Sequence, residues 1–150
     1  MNASSERTAL LRPLKLAILF SVLGESIIFV VWGLVLYPGG SVLNKLLWTV
    51  LFCGLGMGSA VGALIQLGIV GRLDGAAAVA ATTVLGVLVL GVGCNLLCLG
   101  LDQHFQFFGG LDNGPLFVWN GVVMSAVGGL AVGTLCFTRR GRRVLERVGW

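Results

Sequence analysis

The chain has 150 residues, of which 57% are hydrophobic and 11% charged, with a formal net charge of +4 and a mean hydropathy of +0.98. A soluble domain carries about 25% charged residues, so this composition cannot cover a water-facing surface and excludes an ordinary soluble enzyme or binding module. The 24 glycines against 3 prolines point to close helix packing in lipid rather than to a flexible linker.

Residues 1–15 form a basic segment with Arg7, Arg12 and Lys15, and the first apolar run follows at Leu16–Leu36. A span needs about 20 apolar residues. This run contains Glu25, the sole ionisable side chain inside any of the long apolar stretches. A carboxyl at the bilayer centre costs on the order of 3 kcal/mol. The run also holds fourteen Leu, Ile, Val and Phe residues, each contributing roughly −0.3 to −0.6 kcal/mol, so the segment should insert and remain. Leu36-Tyr37-Pro38-Gly39-Gly40 offers no small-x-small cleavage site, which predicts a retained helix. Asn2-Ala3-Ser4 fits the glycosylation pattern, but on the side expected to be cytoplasmic, where it is a chance match.

The second run is Leu46–Gly71, with Gly54, Gly58, Gly62 and Gln66 at i+4 intervals. Such small-xxx-small stripes let backbones approach closely. Gly54-Leu55-Gly56-Met57-Gly58 invites comparison with the rotor-ring proteolipids of ATP synthases, where a glycine-rich helix is followed by one bearing a carboxylate. Here Glu25 precedes the glycine-rich helix and the next helix carries Asn95 instead, so the likeness fails.

A tight turn with Arg72 leads to the third run, Ala76–Leu101, whose Ala-rich start makes its boundary the softest. Cys53, Cys94, Cys98 and Cys136 all lie within spans and form no C-x-x-C pair, so they read as small hydrophobes and no metal site is expected. The following stretch, Asp102 to Pro115, is too apolar for a freely solvated loop. It predicts a short interfacial segment in which Asp102 caps a turn through Phe108. Asp102, His104, Phe105, Phe107 and Phe108 are its candidate docking residues for a partner, a lipid or a quinone. No cofactor is expected; His104, the single histidine, could at most offer one ligand to a haem or chlorophyll.

The fourth run, Leu116–Phe137, repeats the small stripe at Gly121, Ser125, Gly129 and Gly133. The tail 138–150 is basic and amphipathic. Arg139, Arg140, Arg142 and Arg143 suit lipid phosphates, while Val144, Leu145, Val148 and Trp150 suit the apolar side. Membrane lipid, not nucleic acid, is the expected partner of this short tail. With both termini inside, nine of the ten basic residues are cytoplasmic and Lys45 alone is outside, which predicts an N-in, C-in orientation. Tyr37, Trp48 and Trp119 then gather at the outer ends, with Trp32 just below.

These readings predict an all-α integral membrane protein of four antiparallel transmembrane helices over residues 16–137, in a bacterial-type cytoplasmic membrane. Depth counted along each helix gathers Glu25, Ser21, Gln66 and Thr83 into a polar membrane cluster. No catalytic constellation is present in the sequence. The sequence therefore favours a non-catalytic subunit that packs, through its glycine faces, against other integral membrane subunits or copies of itself. The alternative is a small homo-oligomeric channel or proton- or cation-coupled transporter centred on Glu25.

Overall fold

The computed structural model describes the backbone of residues 3–150 and the side chains of residues 11–150. Asn2 and the side chain of Arg7 lie outside the described residues. Four helices are long and apolar enough to cross a membrane: α1 (Leu11–Leu36), α2 (Val42–Ile69), α3 (Gly75–Phe105) and α4 (Gly114–Phe137). A fifth, α5 (Arg139–Arg147), closes the chain. Among the described residues there is no strand.

The helices overrun the expected spans at several ends. The helix containing α1 begins at Ala3, and α3 continues to Phe105. A helix leaving the hydrocarbon keeps its internal hydrogen bonds, so Arg12 and Lys15 change the surroundings without ending the coil. Three stretches, Phe29–Leu36, Leu47–Met57 and Val87–Cys94, have wide π-type turns. Where such turns return to α geometry a carbonyl loses its N–H partner. In α3, Asn95 Nδ2 donates back to the carbonyls of Leu90 (2.9 Å) and Gly91 (3.0 Å).

The bundle is built from two close helix pairs. In the first, Gly54, Gly58 and Gly62 of α2 face α1. A Cβ on Gly62 would lie 2.9 Å from Leu14 Cα, and one on Gly54 would lie 3.2 Å from Val22 Cα. In the second, α4 meets α3: a Cβ on Gly129 would lie 2.7 Å from Thr83 Cα, and one on Gly133 would lie 2.9 Å from Val79 Cα. Gly121 leaves room for the Asn95 amide. The approach between α1 and α4 is looser, with Gly24 facing Met124 and Gly128 facing Phe20 at 3.8 Å. Leu, Val and Phe side chains cover the outside, as a lipid-facing surface requires.

Arg12 at the foot of α1 comes within 3.9 Å of Glu146 on α5, so the foot of α1 and α5 lie at one end of the bundle. The hairpin turns 37–41 and 106–113 lie at the other, called the loop end below. They touch: Gly40 has φ +76°, and a Cβ there would collide with the carbonyls of Gln106 and Phe107. Only glycine meets both demands.

Candidate functional site

Glu25 is in the middle of α1 and only 8% exposed. It faces a cavity of about 50 Å³ where all four spans meet, lined also by Ser21, Ile65, Thr82, Met124 and Ser125. No lysine, arginine or histidine among the described residues lines this space. Among the described residues the carboxyl has no hydrogen-bonding partner. An isolated buried carboxylate is expensive, so its charge calls for a proton or a cation. Thr82 Oγ1 donates to the Ala78 carbonyl at 2.8 Å, which leaves its lone pairs for the cavity. Ser21 fits beside α2 because residue 58 is glycine: a Cβ there would lie 2.6 Å from Ser21 Cβ.

The polar cluster inferred from depth therefore needs correction. Glu25 and Ser21 do line the cavity, but Thr83 and Gln66 do not. Thr83 is one residue, or about 100° of helix rotation, from Thr82, and it turns its hydroxyl onto the Val79 carbonyl. Counting along an axis gives depth and leaves the direction around the axis open. Thr82 and Ser125 take the places assigned to Thr83 and Gln66.

On its loop-end side Glu25 also borders a second, smaller void of about 10 Å³. Trp48, Thr49, Asn95 and the thiols of Cys53, Cys94 and Cys98 share that void. All four cysteines are free and buried. No group of three or more metal-binding side chains is found among the described residues.

The loop end holds a charged lock, in which the Asp102 cap of the turn through Phe108 is as expected from the sequence and the burial of Lys45 is not. Lys45, read as a loop charge, is fully buried. Its Nζ donates to the carbonyls of Gly33 and Tyr37, each at 2.6 Å, and stands 5.7 Å from the Phe108 ring centroid. These carbonyls belong to the end of α1, where the helix lacks its own donors and carries negative partial charge. Asp102 is 1% exposed. Its Oδ1 accepts from Phe108 N at 2.6 Å and its Oδ2 from Leu111 N at 2.7 Å, folding the 106–113 turn back over the bundle. The one signal for Lys45 was its isolation: a single cation on the side that the charge distribution otherwise avoids.

This lock changes the docking set. Asp102 and Phe108 are buried, with Phe108 packed against Phe117 at 5.6 Å between ring centroids. Neither is open to a partner. Phe107 is half-buried, and His104 and Phe105 remain exposed. Trp32, placed just below the aromatic belt, is buried against Phe117 at 5.2 Å, whereas Trp119 is exposed.

The tail also departs from the expected lipid-facing arrangement at Leu145. Thr138 breaks the helix and caps α5 by accepting from Gly141 N at 3.0 Å. Leu145 turns inward and joins the core with Leu16, Ile69 and Phe137. It does not face lipid. Val144 and Val148 are exposed, as are Arg139, Arg140, Arg142 and Arg143.

No known protein family, curated protein or solved structure matches this chain.

Proposed function

We propose that this multi-pass membrane protein moves a proton or small monovalent cation through its bundle by way of Glu25. The observation that carries the proposal is a buried, unpartnered carboxyl facing a cavity where four spans meet. An ionisable group inside a membrane is functional by default, because it is otherwise a pure loss of stability. A carboxyl that served to hold helices together would donate to a neighbouring helix. One that held two subunits together would lie on the outside. Glu25 does neither.

The rival proposal is a non-catalytic subunit packed into a larger membrane complex through its glycine faces. It has less support, because those faces meet α1 and α3 of the same chain. We propose no catalytic role and no cofactor. The orientation is N-in, C-in, with the exposed arginines of α5 against lipid phosphates of a bacterial-type cytoplasmic membrane. The test is Glu25→Gln, with proton and cation flux in liposomes and the oligomeric state in detergent read on one preparation. Lost flux from an intact protein supports the proposal. Unchanged flux overturns it. Copurification of unlike subunits together with an inert wild-type protein in liposomes favours the rival.

A further inference from the structure

The void on the loop-end side of Glu25 has a size and a chemistry. At about 10 Å³ it holds one water-sized sphere. Its walls carry unused hydrogen-bonding groups. Among the described residues, Trp48 Nε1–H is buried without a well-formed hydrogen bond; it faces the Cys98 thiol, a weak acceptor. Thr49 Oγ1 gives its hydrogen to the Lys45 carbonyl at 2.8 Å and keeps its lone pairs. The Asn95 amide nitrogen is engaged with the Leu90 and Gly91 carbonyls, leaving its oxygen as an acceptor. Glu25 completes the set. A buried water needs two to four polar partners, and this void offers a donor, two acceptors and a titratable carboxyl.

We propose that this void is a site for a single water molecule and that the species passing Glu25 toward the loop end is a proton. The inference rests on the transport reading of Glu25 and narrows it. The larger cavity would admit several waters or a small cation. The void admits one water, and a metal cation or an amine would fill it entirely, shedding its whole hydration shell for the oxygens of three side chains, Thr49, Asn95 and Glu25. A proton needs no such room. The Glu25 O–H bond breaks as its proton bonds to the water oxygen, and one of the water's own O–H bonds breaks as that proton passes to a second water, admitted from the loop end when the 106–113 turn loosens. The water is regenerated. The carboxylate left behind takes a proton from a hydronium ion that reaches the cavity and becomes water, and no electrons are transferred. Trp48 acts as a positioning residue, since its N–H fixes the water without touching the carboxyl proton.

Trp48→Phe removes the N–H and keeps an aromatic ring to stack on Phe52, now 4.5 Å away. Two measurements on the full chain in liposomes test the site. Difference infrared spectra in ordinary and oxygen-18 water should show an isotope-sensitive O–H band in the wild type that is lost or displaced in Trp48→Phe and, as a second variant, in Thr49→Val. Proton flux, read with a trapped pH dye, should fall about tenfold in Trp48→Phe, the equivalent of one hydrogen bond of ~1.4 kcal/mol. Radioactive sodium uptake should match protein-free liposomes. An unchanged water band in both variants overturns the water site. Sodium uptake through the wild type, lost in Glu25→Gln, overturns the proton assignment and leaves the transport reading standing. No flux of either ion through the wild type overturns both.

Discussion

Lys45→Met keeps the apolar stem of the side chain and removes its ammonium. In the folded chain that ammonium makes two hydrogen bonds of 2.6 Å, to the carbonyls of Gly33 and Tyr37. Hydrogen bonds to charged groups contribute about 1.5–3 kcal/mol each. The lock lies at the loop end, where water is close once the turn loosens, so the lower figure applies and the pair is worth about 3 kcal/mol. The substitution also leaves the buried Gly33 carbonyl and the part-buried Tyr37 carbonyl without this donor and removes the positive charge that acts on Asp102. Stability would be read by reversible unfolding in mixed micelles, followed by tryptophan fluorescence. A loss of about 3 kcal/mol is expected, with the 106–113 turn becoming open to proteolysis before the bundle unfolds. A loss below about 1 kcal/mol would refute the view that this buried cation holds α1 to the hairpin turn.

Other substitutions probe the remaining contacts. Gly129→Leu should part α3 from α4, because a Cβ alone would already sit 2.7 Å from Thr83 Cα; a destabilisation of about 1–3 kcal/mol is expected in the same unfolding assay. Leu145→Ala should cost about 2–3 kcal/mol if the side chain is in the core, and almost nothing if it lies in lipid. Asp102→Asn should release the Phe108 and Leu111 amides and raise hydrogen exchange at both, while exchange in the α1–α2 pair stays unchanged. For orientation, the four native cysteines are buried, so new thiols can be read directly. His104→Cys should react with an impermeant maleimide on intact cells, and Arg143→Cys only after permeabilisation; the opposite pattern would reverse the assigned orientation.

The spans were legible because a bilayer imposes a length and a polarity on any helix that crosses it. Their ends were less so: Leu16 marked where the charges stop, but the helix extends through Arg12 and Pro13. Glu25 was legible as a solitary acid in apolar surroundings. The company it keeps was not, since choosing Thr82 over Thr83 requires the rotation of α3 about its own axis, which a nearly uniform apolar sequence does not encode. Lys45 and Asp102 lie at helix ends, where a charge reads equally well as solvated or as a cap. Their burial depends on the 37–41 and 106–113 turns folding against each other. For Leu145, the periodicity of a short basic helix gives its apolar face but not what that face meets.

The most direct measurement of the central claim is the reaction of the folded protein in membranes with a hydrophobic carbodiimide, located by mass spectrometry. The reagent adds to a protonated carboxyl in an apolar, accessible site. If Glu25 faces the bundle cavity and exchanges protons there, the adduct should form at Glu25 among the six acidic residues of the chain, more slowly as the pH is raised, and modification should stop the flux. Failure to modify Glu25 in the folded protein, with ready modification once the bundle is unfolded, would show a sealed carboxyl and contradict the account.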